Sequence, residues 1–223
     1  DLRDVMAHIT QRFSSIHALV HTGDLAQVPV PATYARYLQH MQQQGFPHFQ
    51  VPGNHDDTAL FPFHQQRDQA HVLSFGAWRI VLLNSAVAGQ VDGWVAQQQL
   101  QQLEQILAQQ ADQHVIIACH HHPFAMQSRW IDQHKLKNAE HLMDVIAKHS
   151  NVKAVLCGHV HRTMFTRFGG TLEYVSRHTP WMVELVSARC RRCGSRLLRP
   201  LPGPQTDFLA SPATVALFGG AAG

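Results

Sequence analysis

The sequence predicts an α/β fold, and three observations carry that reading. Short apolar runs alternate with segments whose apolar residues recur every three or four positions, the pattern of strands interleaved with amphipathic helices. The glycine- and histidine-rich stretches fall where the apolar runs end, the edge at which open α/β sheets bind ligands. The chain has 223 residues and 45% hydrophobic composition, enough for one sizeable domain whose sheet is covered.

Residues 2–13 place Leu2, Val5, Met6, Ile9 and Phe13 on one helical stripe. The stretch IHALVHTGDLAQ, residues 16–27, reads as a short buried strand running into a Gly-Asp loop. Residues 32–44 return to helical spacing through Tyr34, Tyr37, Leu38 and Met41. FPHFQVPGNHDD, residues 46–57, is strand and then loop, and HVLSFGAWRIVLLNS, residues 71–85, is a hairpin turning at Gly76-Ala77. Residues 95–110 are glutamine-rich but keep a helical face of Leu100, Leu103, Ile106 and Leu107. HVIIACHHHP, residues 114–123, is a buried strand ending in three histidines. Residues 138–149 are helical through Leu142, Val145 and Ile146, and VKAVLCGHVH, residues 152–161, is another buried strand ending in histidines. Residues 162–176 form a hairpin turning at Gly169-Gly170.

Composition narrows the function. The net charge is +3, too mild to imply a nucleic-acid partner, and no apolar run reaches membrane-spanning length. Cys119 and Cys157 sit inside apolar runs, where thiols behave as small hydrophobes. Cys190-x-x-Cys193 lacks the second ligand pair of a zinc site. No secretory signal is evident, so a reducing, cytoplasmic setting is expected. Histidine is the outlier, with 18 residues. Imidazole is a metal ligand and a proton carrier, although many of these histidines need be no more than surface polar residues.

Four polar clusters end strands: Gly23-Asp24, Gly53 to Asp56, His120 to His122 and Gly158 to His161. Turn chemistry explains any one of them. Four on one sheet edge point instead to a site, with Asp24, Asn54, His120, His159 and His161 as candidate ligands. Oxygen and imidazole donors suit Mn, Fe, Zn or Mg-like ions, and a carboxylate can bridge two of them.

GD at 23–24, GNHD at 53–56, HHHP at 120–123 and GHVH at 158–161 resemble, in content and order, the calcineurin-like metallophosphoesterases. TGDLAQ, VPGNHDD, HHHPFAMQSRWIDQHKLKNAEHL and VLCGHVH are similar to the bacterial 3′,5′-cyclic AMP phosphodiesterases within that family. The resemblance runs from about Leu2 to about Gly170. It implies a four-layer αββα sandwich and two divalent metal ions of the Fe/Mn/Zn type. It implies that Asp24 bridges both metals, that Asn54, His120 and His159 complete one, and that His161 ligates the other. His55 would be the catalytic group, stabilising phosphoryl charge and protonating the leaving oxygen. Asn54, His55, His161 and Asn138 would face substrate. Trp130 and His134 offer further nucleotide contacts, with packing an equal alternative for Trp130. The implied reaction is hydrolysis of 3′,5′-cyclic AMP to 5′-AMP through a metal-bridging hydroxide. Rival readings are action on another phosphodiester or nucleotide, and an inactive metal-binding remnant.

The family's Asp-x-His motif is not found before TGDLAQ. The chain starts at Asp1 inside a helical pattern, so a first strand with two ligands is expected upstream, leaving one of the two ions fully coordinated here. Residues 1–175 are expected to form the phosphoesterase domain, and 176–223 an atypical Arg/Pro/Gly/Ala-rich tail, disordered or frame-shifted. Five arginines between Arg189 and Arg199 make the tail basic, which raises nucleic-acid binding as a minor alternative. The oligomeric state has no sequence signal.

Overall fold

The computed structural model describes residues 2–13, 16–61 and 68–161, together with the backbone of strands at 164–168, 171–175, 183–184, 199–200 and 214–217. The Gly169-Gly170 turn, Cys190, Cys193 and most of the arginine-rich tail lie outside the described residues.

Helix α1 (Leu2–Arg12) precedes strand β1 (Ala18–His21), helix α2 (Pro31–Gln42) and strand β2 (His48–Gln50). Pro31 opens α2 at its first turn, where its missing N–H costs nothing. The predicted hairpin is β3 (His71–Phe75) and β4 (Trp78–Leu82). Helix α3 (Gln97–Gln109), strand β5 (His114–Ala118), helix α4 (Ala139–Ala147) and strand β6 (Val152–Cys157) follow. Strands β7 (Met164–Phe168), β8 (Thr171–Val175), β9 (Val183–Glu184), β10 (Arg199–Pro200) and β11 (Thr214–Leu217) complete the order.

Two sheets carry the structure. The smaller has the order β11-β1-β2, with β1 and β2 parallel. The larger has the order β3-β4-β5-β6-β8-β7, parallel from β4 through β6 to β8. Side-chain alternation along each strand sorts the core into three slabs. Ala18 and Val20 on β1 share one cluster with Ile80, Leu82, Ile116, Ala118, Ala154 and Leu156, so these residues face one another between the sheets. Leu19 turns the other way, onto Met6 and Ile9 of α1 and Tyr34, Tyr37 and Met41 of α2. Val81, Val115, Ile117, Val155 and Cys157 pack on Leu100, Leu103 and Leu107 of α3 and Leu142 and Ile146 of α4. The layers are therefore helix, sheet, sheet, helix, the αββα order the resemblance implies. Because both faces of the central strands are covered, their sequences are continuously apolar and do not alternate with polar residues.

A buried polar chain crosses the first helix–sheet interface. His21 and Gln50 are register partners on β1 and β2. Gln50 Nε2 donates to Tyr37 Oη at 2.9 Å, and Tyr37 Oη donates to His21 Nδ1 at 2.7 Å. Burial, with His48 nearby, pushes the His21 imidazole down to about 3. Between that value and the ordinary histidine range the unfolded chain binds a proton that the folded chain refuses. Stability is therefore full above the unfolded value and falls as pH drops through the window. We expect the urea midpoint to fall between about pH 7 and pH 4.5, and His21→Gln to make that slope shallower. Equal slopes in the two proteins would sink this assignment.

Candidate metal centre

The four polar clusters meet at the C-terminal ends of β1, β2, β5 and β6, so both sheets feed one site. Continuing β1, Thr22 presents its carbonyl to His120 Nδ1–H at 2.6 Å. That bond fixes the His120 tautomer: with Nδ1 protonated, Nε2 carries a lone pair. The lone pair faces Asn54 Oδ1 at 3.1 Å, His159 Nδ1 at 3.2 Å and Asp24 Oδ2 at 3.5 Å. Asn54 Oδ1 lies 2.8 Å from His159 Nδ1.

Proton bookkeeping shows what this set is for. Asp24 and Asn54 offer acceptor oxygens and His120 offers a bare nitrogen, so only His159 can supply a proton within the group. Its imidazole is held well below the ordinary histidine range by burial and by His120, His121 and His122 around it. A neutral His159 brings at most one proton to Nδ1, which can meet Asn54 Oδ1 or His120 Nε2 but not both, so lone pairs remain crowded on one another. Ligands about 2.1 Å from a single ion stand roughly 3.0–3.4 Å apart, close to these separations. The four donors therefore fit a divalent cation, which converts mutual repulsion into coordination.

The backbone around these donors is strained. Asp24, His159 and His161 are non-glycine residues with φ of 57°, 69° and 50°. Left-handed backbone costs such residues roughly 1–2 kcal/mol each, and three at one site mark function over stability. Gly23 has φ of +104°, and a Cβ there would collide with the His120 ring, so glycine is required twice over.

His55 is half-buried beside Asn54. Its N–H donates to Asp24 Oδ1 at 3.0 Å, and its Nδ1 lies 3.3 Å from Gln27 Nε2. His161 is exposed, two residues beyond His159. Asn138 stands apart from the donor set. Its Oδ1 accepts from Val95 N–H at 3.1 Å and its Nδ2 donates to Val95 O at 2.7 Å, with 6% of the residue exposed. With both ends of its carboxamide engaged, Asn138, expected from the sequence to face substrate, clasps two segments in this structure. Trp130 is 69% exposed, which removes core packing as its role, and its ring meets His134 edge-on at 5.6 Å. His134 Nδ1 in turn lies 2.8 Å from Asp92 Oδ1.

Two further residues of the sequence clusters build the site: His121, which with His122 the resemblance places as a support or facing substrate, and Asp56. His121 clusters with His120 and His159 closely enough to suggest a third imidazole ligand. Its nitrogens are already used: Nδ1 accepts from Ser85 Oγ at 2.8 Å and Nε2 donates to Val91 O at 3.1 Å. It is a wall of the site, kept neutral by burial. Asp56, buried, accepts from the N–H groups of Gly53 at 2.9 Å and of Leu25 and Ala26 at 3.2 Å each, and from Tyr34 Oη at 3.1 Å. It staples the loop after β1 to the loop after β2, which sets Asp24 beside Asn54. Burial pushes its carboxyl up, against the pull of the Gly53 amide. Asp56→Asn puts an NH₂ where an oxygen now collects donors, and should cost about 2–3 kcal/mol. Thermal melting of the metal-free proteins checks this, and a loss under about 0.5 kcal/mol would reject the staple.

The sequence model of calcineurin-like phosphoesterases matches residues 1–163. The chain belongs to this family. Among curated relatives, the 3′,5′-cyclic adenosine monophosphate phosphodiesterase CpdA of Haemophilus influenzae is 33% identical over 170 residues, 74% of this chain and 62% of the relative. The Escherichia coli K12 protein of the same name is 36% identical over 156 residues, 68% of this chain and 57% of the relative. The chain thus spans about three-fifths of the length of these relatives. A dimetal phosphatase from Danio rerio superposes with a TM-score of 0.61 at 16% identity, covering 79% of this chain and 76% of that one. Family and superposition agree on the fold, the mixed α/β architecture of the calcineurin-like dimetal phosphatases, and the family is one of hydrolases. No described helix is long and apolar enough to cross a membrane.

Proposed function

We propose that this chain carries the catalytic centre of a metal-dependent phosphodiesterase hydrolysing 3′,5′-cyclic AMP to 5′-AMP. The observation that carries the metal-dependent part is the convergence of Asp24, Asn54, His120 and His159 on one point with too few protons among them. The cyclic nucleotide is supported by the names of the relatives. These four residues would hold one divalent ion of the Fe/Mn/Zn type, and Asp24 and His161 would contribute to a second. Bound ions supply Lewis acidity and ease the deprotonation of water beside the phosphorus.

The chain's own groups do the rest. His55, anchored through its N–H to Asp24, neutralises charge on the phosphoryl oxygens and delivers a proton to the departing 3′ oxygen. Water adds its oxygen to phosphorus, the P–O3′ bond breaks, and O3′ leaves as a hydroxyl. Residues 1–175 form the catalytic domain: β7 and β8 follow the family match and complete the larger sheet. The setting that fits this substrate is cytoplasmic.

The deciding experiment measures bound metal and then turnover of cyclic AMP and a generic aryl phosphodiester with added manganese. Stoichiometric metal and a preference for cyclic AMP support the proposal. Equal turnover of both substrates moves the assignment to a general phosphodiesterase. Bound metal without turnover makes the chain a binding remnant.

A further inference from the structure

Three buried nitrogens beside the donor set have no hydrogen-bond partner among the described residues: both ring nitrogens of His122, and Nε2 of His159. His122 is fully buried, and its ring stacks on that of His159 at 5.9 Å between centroids and 25° between planes. His122 Nε2 lies 3.8 Å from Asp132 Oδ1, too far for a direct hydrogen bond. The Asp132 carboxylate is itself fixed by the N–H groups of Met126 at 2.6 Å and Ser128 at 3.2 Å. The backbone of His122 is equally fixed, its carbonyl accepting from Leu136 N–H at 3.0 Å. The orphaned His122 ring, flanked by the fixed Asp132 carboxylate, is therefore the neighbour of the His159 imidazole.

His159 turns Nδ1 toward the donor set, so a ligating, neutral imidazole must carry its proton on Nε2. The second N–H of a ligating histidine is normally received by a carboxylate, a carbonyl or water, and that outer bond fixes tautomer and ring orientation. Burying it unpaired is costly, and so is burying His122 with both nitrogens unpaired. One ordered water shared by the two rings would satisfy both.

We infer that His122, backed by Asp132, is a positioning residue for His159, receiving the His159 Nε2–H through one ordered water and so keeping Nδ1 bare for the metal. This rests on the metal-centre reading above. His122 touches neither the metal nor the substrate; it acts through His159.

The test is divalent-metal affinity, measured on metal-stripped protein with Mn²⁺ and Zn²⁺ against a competing chelator, without substrate. His122→Phe keeps a buried ring of similar shape and removes both nitrogens, so a packing role would leave affinity unmoved. We expect its affinity to fall by about 10–100-fold, and His122→Gln, which can still bind the water, to recover most of the loss. Parent-like affinity in His122→Phe overturns the inference, and so does a His122→Gln as weak as His122→Phe. Should His122→Phe fail to fold, Asp132→Asn takes its place, and unchanged metal affinity there is equally fatal. If the parent chain binds neither ion, the metal-centre reading itself fails. If the parent binds and the variants bind alike, only this inference fails.

Discussion

His120→Ala is expected to abolish tight divalent-metal binding and phosphodiester hydrolysis together. Of the four donors, His120 touches the other three, through one nitrogen whose lone pair is guaranteed by the bond to the Thr22 carbonyl. Removing it leaves Asp24, Asn54 and His159 without the group they surround. Outer partners of metal ligands are worth about 10–100-fold in affinity, so loss of this inner ligand should exceed about 100-fold. Turnover should fall with it, because a bound ion would supply the charge stabilisation at phosphorus. Titration of the metal-stripped variant with Mn²⁺, beside the parent and the remote surface variant His71→Ala, gives the answer. Parent-like affinity in His120→Ala would remove His120 from the centre.

How much of this was legible in the sequence follows from the range over which each interaction acts. The strands could be read because burial on both faces makes β4, β5 and β6 continuously apolar, a local pattern. The four polar clusters could be read because each ends such a run. The position of β8 could not: a hairpin of β7 and β8 is visible locally, but nothing local says that β8 inserts between β6 and β7. The short 3-10 turn at Ile131–His134 was also missed, since four residues carry no periodicity. Within the site, the ligand-type residues were legible and their supports were not. Asp56 is set in the same motif as Asn54, and only the fold shows it collecting donors from a loop thirty residues away. Asn138 and Asn54 are chemically identical; their surroundings make one a clasp and the other a candidate ligand. Of the three consecutive histidines, His120 meets the donor set, His121 is fully hydrogen-bonded and His122 lies beside Asp132; the resemblance picks out His120 as the ligand, but nothing local divides His121 from His122.

Gly53→Ala should be as damaging as loss of a ligand, although alanine adds one methyl group. The φ of Gly53 lies outside the left-handed region, so alanine meets no backbone penalty, and any effect comes from contact alone. A Cβ built there runs into the carboxylate and amide nitrogen of Asp24. Neither can step aside. The carboxylate is held by the His55 N–H at 3.0 Å, and the loops on both sides are stapled by Asp56. Relief comes only by parting the loop after β1 from the loop after β2, which takes Asp24 away from Asn54 and His120. The expected cost is about 3 kcal/mol or more, at the upper end for overpacking, with metal affinity lower by at least about 100-fold, since the donor set is broken at an inner ligand. Gly45→Ala is the matched comparison. Its φ is +75° but a Cβ there meets nothing within 4 Å, so it should lose only the roughly 1–2 kcal/mol of left-handed strain and bind metal as the parent does. Thermal melts and chelator-competition titrations of the two variants separate strain from collision. If Gly53→Ala melts and binds metal like Gly45→Ala, the two loops are free to separate, and the close approach of Gly53 to Asp24 is not what holds the centre together.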